Sequence, residues 1–550
     1  MLNSKLTETK MKLTKNIGFL GICTSLLLSS CVKDLDVKPL DKTVISSGTV
    51  YDIPGAYYNV LGKCYGSFTL TGNQGPAGVG DVAGIDEGTS GFNRLLFYLQ
   101  ELTTDEAIVQ QGWSDPGLQD LHPFAWSSDN VLVKGMYYRL YYIVNLTNEL
   151  INHTAGKSAL SSDVKENLPL FNAEARFLRA FAYYNLMDLY GNVPFVTEKD
   201  KVGAFSPKQI KRADLFKYVE NELLALEKEN LLPVKAAEYG RVGMSSVHFL
   251  LARLYLNAKV YTGTERNTDC ISYSSKVIAD GYSWSKKYSN IFLADNDKNG
   301  EIIFALPQDG IQTQTYGGTT MLTNAAYGGS VPNGAWGAGS WGGFRTTEAF
   351  VKKFYADPKN PTAAELLDER AKSTNTTAVD EMFWTKGQSL PVSSNKDFSD
   401  GWAVVKFKNV TSAGVVGKHN TFSDVDFPMF RLADAYLMYA EAVVNGGQGG
   451  SRATALKYVN DVRGRANAAA ISDSQLTPQF ILDERGRELF WECTRRTDLI
   501  RFGLYTSAKY LWEFKGGIPA GVEVHEKFNI FPIPASDISA NPNLTQNKWY

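Results

Sequence analysis

The chain has 550 residues, 44% of them hydrophobic and 21% charged, a globular composition with apolar material for a sizeable core. Its 56 basic and 58 acidic residues leave a formal net charge of −2 with no basic block, which excludes the electrostatic footprint of a nucleic-acid binder. The five cysteines have no CxxC spacing, and the five histidines are scattered, so neither a zinc site nor a disulfide framework is expected.

The N-terminus reads as an address. Lys10, Lys12 and Lys15 form a positive region, and "IGFLGICTSLLL" (17–28) is apolar but short for a membrane span, which is signal-peptide anatomy. Translation starting at Met11 would preserve it. "LSSC" (28–31) resembles a bacterial lipobox, in which Cys31 Sγ takes a diacylglycerol. Acyl chains bind membrane at about 0.8 kcal/mol per buried CH₂, so two or more give firm retention. "VKDLDVKP" follows and resembles the surface-export signal of some Gram-negative lipoproteins. The expected organisation is a signal peptide over 1–30, an acylated Cys and tether over 31–50, and one domain over 51–550.

Residues 66–92 are Gly-rich and read as irregular. Helical periodicity begins near Lys134 in "KGMYYRLYYIVNLTNELINHT" and continues in "NAEARFLRAFAYYNLMDLYGNVP", where Gly191 and Pro194 mark the stop. Further helices are predicted over 212–231, 243–261, 268–280, 428–445, 452–468 and 477–502. Cys270, Ser274 and Val277 share a four-then-three spacing with Ala455, Val459 and Val462, like the second helix of a degenerate tetratricopeptide repeat. The fold class is therefore mainly α: a scaffold over 130–285 and 425–550, with a loop-rich lobe over 66–130 and 285–425. The long insert carries short strand-like runs, "EIIFALP" and "WAVVKFK", and ordered loops of that length are usually functional.

Within the insert, "SVPNGAWGAGSWGGFR" (330–345) sets Trp336 and Trp341 among glycines. Sugar rings have apolar C–H faces, and an aromatic plate can bury one; by analogy with base stacking this is worth roughly 1–3 kcal/mol per ring. The competing reading is that such rings cap the core beneath the loop, which is the expectation for Trp384 and Trp402.

Three segments carry a family resemblance: "AEARFLRAFAYYNLMDLYGNVPFV" (173–196), "DERGRELFWECTRRTDLIRFG" (483–503) and "FPIPASDISANPNLTQNKWY" (531–550). Together with the lipobox they resemble the SusD/RagB family of surface nutrient-binding lipoproteins. The resemblance implies tetratricopeptide-like helix pairs, an irregular lobe, and no catalysis. It also implies capture of an oligosaccharide, lipid anchorage at the outer membrane, and a SusC-like TonB-dependent transporter as partner. "GIDEGTSGFNR" (84–94), "DNDKNGEIIF" (295–304), "YGGTT" (316–320) and "KYLWEFKGG" (509–517) are similar to segments of its starch-binding members. That similarity makes Trp341 a stacking residue and places Trp113 near a second aromatic wall; a third stacking Tyr falls at Met321, which counts against starch. Arg94, Asp86 and Glu87 are candidates to bond sugar hydroxyls or to fix their Gly-rich loop.

Three patterns bear on other chemistry. Glu484, Glu488 and Glu492 share a helical face at a spacing that suggests a glycosidase pair, but Arg485, Arg487, Arg495 and Arg496 surround them and predict ion pairing. "AGSWG" (338–342) is a relaxed nucleophile elbow without the preceding strand that an elbow needs. "DNDKNG" offers Asp295 and Asp297 to a possible structural calcium, although Leu306 stands where an EF-hand has Glu. No cofactor is otherwise expected. A surface glycoside hydrolase or esterase, and a scaffold binding only protein partners, remain the alternatives.

Overall fold

The computed structural model describes residues 50–550 apart from 52, 54, 77, 156–161, 201, 202, 204 and 397. The signal peptide, Cys31 and nearly all of the tether lie outside the described residues. Tyr57–Tyr550 forms one body.

Two helices precede the strongly periodic region, α1 (Ala56–Thr69) and α2 (Phe92–Gln100). Helix α2 is only nine residues long and all of them are buried, Asn93, Arg94 and Gln100 included, so a reading by long periodic stretches passes over it. Asn130 then starts α3 (Val131–Thr154), its side chain accepting from the N–H groups of Leu132 and Val133. The scaffold continues with α4 (Ser162–Tyr190), α5 (Arg212–Glu229), α6 (Met244–Leu256), α7 (Ala258–Thr262) and α8 (Asn267–Ala279). The expected helix 243–261 is two helices, because Asn257 turns back to cap Arg253 O.

Four short helices occupy the insert and the C-terminus: α9 (Gly318–Ala325), α10 (Glu348–Val351), α11 (Ala363–Leu366) and, last in the chain, α16 (Ala535–Ala540). Between them lie α12 (Leu432–Val444), α13 (Arg452–Arg465), α14 (Pro478–Leu489) and α15 (Arg495–Arg501). The run expected over 477–502 breaks between α14 and α15, where Trp491 and Cys493 both take φ 63. Burial compensates that strain: the Trp491 backbone N–H donates to Glu106 Oε2 and its indole N–H to Glu106 O. Successive helices pack in a chain, α3 on α4, α4 on α5, α5 on α6, α6 on α8, α8 on α12, and α12 on α13 and α14.

The insert is closed at its base by two strands, β4 (Ile302–Leu306) and β8 (Phe427–Arg431), antiparallel with Ile302 opposite Arg431 and Leu306 opposite Phe427. The remaining strands are two-residue pairs: β1 (Ile108–Val109) with β5 (Phe344–Arg345), β2 (Val193–Pro194) with β3 (Gln209–Ile210), and β6 (Phe383–Trp384) with β7 (Ala403–Val404).

Beneath the insert lies a buried ion network. Glu484 bonds Arg370, Arg463 and Arg487; Glu488 bonds Arg370, Arg431 and Arg465; Glu492 bonds Lys406 and Arg431. Burial pushes the Glu488 carboxyl up, but Arg465, Arg431 and Arg370 outweigh it and hold it down at about 2. These acids are ion-paired as expected, but mostly by other arginines. Of the four named from the sequence, only Arg487 takes part; Arg485 pairs with Asp434 and Asp498, Arg495 with Asp105, and Arg496 with Asp188. The true partners come from distant strands and helices, which sequence proximity cannot reveal.

Candidate functional site

The β1–β5 pairing brings two loops together. Ile108 lies opposite Arg345 and Val109 opposite Phe344, and Gln110 N–H extends the ladder to Gly343 O. The chain before β5 carries Trp341; the chain after β1 turns at Gln110–Trp113, where Trp113 N–H donates to Gln110 O. Trp113 stacks on Phe344, with centroids 5.0 Å apart and planes 21° apart. Its other neighbour is Trp341, at 6.3 Å and 58°.

A third ring completes the cluster. Tyr316 lies 6.1 Å from Trp341, tilted 52° to it, and 5.3 Å from Phe422. Tyr316 is 39% exposed and Trp341 37%, whereas Phe344 beneath them is fully buried. Met321 is also fully buried, inside α9, and the third ring of the cluster is Tyr316. A Cβ on Gly88 would fall 2.5 Å from Tyr316 Cβ, so Tyr316 seats only against a glycine distant in sequence.

One buried residue ties these loops together. Arg94, on α2, donates through Nη2 to Asp115 Oδ2 at 2.5 Å and through Nη1 to Tyr316 O at 2.9 Å. Its Nε reaches Tyr98 Oη, whose hydroxyl also donates to Asp115. Arg94 thus clamps the turn bearing Trp113 to the loop bearing Tyr316, and its side chain is only 6% exposed. Its Nε, Nη1 and Nη2 all donate to partners within the protein. Asp86 is exposed and accepts from the N–H and hydroxyl of Thr89. Glu87 is buried; burial and the neighbouring Asp86 push its carboxyl up to about 7 against the opposing Thr315 hydroxyl, Arg94 and Arg139. Asp86 and Glu87 belong to the loop behind Tyr316.

Trp336 is not part of the arc. It is 6% exposed, packs on Tyr327 and Trp384, and donates its indole N–H to Ala378 O. Its neighbours come from the middle of the insert, which folds over it, so local glycine content was a poor guide to exposure. Trp384 is buried as expected and Trp402 is half-buried.

The two acids offered to calcium lie near the start of the insert. Asp295 accepts from the N–H and hydroxyl of Ser412, and no group of three or more His, Cys, Asp or Glu side chains suited to a metal is assembled among the described residues. Ser340 of the elbow-like pentapeptide lies in an exposed loop with no helix after it. No helix among the described residues is long and apolar enough to cross a membrane.

The SusD family model matches residues 300–550. The chain is 34% identical to the starch-binding protein SusD of Bacteroides thetaiotaomicron, over 95% of this chain and 96% of that one. The chain belongs to the SusD family. A SusD-like protein of Bacteroides ovatus is 24% identical over 69% of the chain and 67% of its own length. Among solved structures, the surface glycan-binding protein A of B. thetaiotaomicron in complex with laminarihexaose superposes with a TM-score of 0.66 at 19% identity, covering 90% of this chain and 100% of that one. A SusD superfamily protein of Parabacteroides distasonis gives 0.68 at 21% identity, covering 92% and 100%. At these identities the solved structures establish the fold alone.

Proposed function

We propose that this protein is a non-catalytic glycan-binding lipoprotein of the outer-membrane surface, held by the lipid on Cys31, which passes oligosaccharide to a SusC-like TonB-dependent transporter. The observation that carries the reading is the arc Trp113–Trp341–Tyr316, in which Trp341 and Tyr316 are exposed and Trp113 is half-buried. Successive planes are tilted by 58° and 52°, so the platform is bent. A bent platform suits a curved chain whose sugars change direction from unit to unit, and an α-1,4-linked glucan is such a chain. Membership in a family with a starch-binding relative supports the same class.

The acids nearest the rings do not form an open pair of carboxyls, since Glu87 is buried. Asp115 is committed to Arg94 and Tyr98, and Asp86 to Thr89. A paired-acid mechanism needs one carboxyl free to protonate a leaving group and another aimed at the sugar. The lipobox and the family support the anchor and the transporter partner.

The test is retention of residues 32–550 in affinity gels of amylopectin, laminarin and xylan, with product analysis alongside. Retardation by amylopectin without release of sugars is expected. Release of sugars would favour the hydrolase alternative, and co-purification with a transporter without retardation would favour the pure scaffold.

A further inference from the structure

Trp341 borders two spaces. One is the arc it forms with Trp113 and Tyr316. The other is a recess of about 360 Å³ that reaches Trp341 but neither of its two partners. Around it stand Gln110, Asn333, Ser340, Phe398 and the backbone of Gly328 and Gly329. No charged side chain lines it. Amides, a hydroxyl and aromatic faces are the groups that recognise a neutral sugar, and the volume falls at the small end of ligand pockets, roughly 300–1,000 Å³.

The walls are built closely. A Cβ on Gly328 would fall 2.8 Å from both Gly342 Cα and Phe398 Cε1, so the two loops meet only as glycines. Gly342 N–H donates to Tyr327 O, fixing one loop against the other. Arg345 pins the structure from below. It is 2% exposed, donates to Ala326 O, Phe344 O and Gln388 Oε1, and lies 3.0 Å from the Phe398 ring centroid. Its donors are spent on the walls, so the recess offers shape and neutral polar groups and no positive charge. Asn333 and Ser340 are exposed at its edge.

We propose that this recess is a further subsite, taking a neutral pyranose unit that continues or branches from the chain resting on the arc, with Trp341 shared between the two. The proposal rests on the glycan reading above. It makes the protein selective for longer or branched oligosaccharides over those that only cover the three rings, with Asn333 and Ser340 as the residues that set this preference.

The experiment is calorimetric titration of wild type, Ser340→Arg and Asn333→Ala with maltotriose and with maltoheptaose. Ser340→Arg places a long side chain at the recess from an exposed position on its edge and leaves the three stacking rings themselves unchanged. Wild type should bind maltoheptaose about tenfold more tightly than maltotriose, the scale of one added sugar contact. Ser340→Arg should remove most of that difference while leaving maltotriose affinity within about twofold, and Asn333→Ala should remove part of it. Equal binding of the two sugars by wild type, or equal weakening of both by Ser340→Arg, would overturn the subsite and leave the aromatic arc intact. Failure of wild type to bind either sugar would overturn the α-glucan reading and the subsite with it.

Discussion

Trp113 lies flat against Gly343: a Cβ at Gly343 would fall 2.0 Å from Trp113 Cε3. The ring can stack on Phe344 only because position 343 has no side chain. Gly343→Ala should therefore lift Trp113 off its seat. Overpacking of this kind costs about 1–3 kcal/mol. Thermal melts should register that loss, and titration with maltoheptaose should show affinity weakened about fivefold or more as the arc opens. Unchanged affinity in a folded variant would mean that Trp113 does not touch the sugar.

Arg94→Met should act on the same arc from behind. It removes the donor shared by Asp115 and Tyr316 O and leaves Asp115 with Tyr98 as a remaining partner. A fully buried pair broken on one side costs about 3–5 kcal/mol; with Asp115 at 18% exposure and Tyr98 still present, about 2 kcal/mol is expected. Affinity should fall with stability, and lowering the temperature should restore part of both. A variant that loses affinity completely at full stability would make Arg94 a direct ligand contact.

Glu488→Gln should harm folding alone. Glu488 is fully buried among Arg370, Arg431 and Arg465, and losing its charge should cost about 3–5 kcal/mol. The pH dependence has a definite sign. The folded carboxyl is held down at about 2, below the unfolded value of about 4.3, so its contribution is full above that unfolded value and is lost as pH falls toward 2. Acid titration of stability should show wild type losing more than Glu488→Gln over that window. Equal slopes would remove Glu488 from the network's energetics.

Much of the scaffold was legible because its helices carry stripes, as in 173–190, where apolar residues recur on two sides. Helix α2 was not, because it is only nine residues long, and neither was the break after α14, which depends on Glu106 from a distant loop. The site was legible in part. Trp341 and Trp113 stand out as large rings in Gly-rich or polar loops. Tyr316 was passed over because its role depends on Gly88 and Arg94, far away in sequence, and Trp336 resembled Trp341 locally while folding inward.

Cys31→Ala should release the protein from the outer membrane. The residue follows a small pair at the end of the signal, and chain binding at about 0.8 kcal/mol per CH₂ leaves no substitute once the lipid is lost. Fractionation with labelled fatty acid checks it. A variant that still sediments with membranes and carries label would overturn the anchor.

The central claim is that Trp341 is a stacking plate presented to solvent, and calorimetric titration of Trp341→Ala with maltoheptaose, beside its thermal melt, tests it most directly. At 37% exposure the ring leaves little cavity when removed, so stability should move by about 1 kcal/mol or less, while affinity should fall about fivefold to more than a hundredfold. Trp336→Ala is the internal contrast, since a ring 6% exposed should cost about 3–5 kcal/mol. An unchanged affinity for Trp341→Ala, or a loss of stability as large as that of Trp336→Ala, would contradict the account.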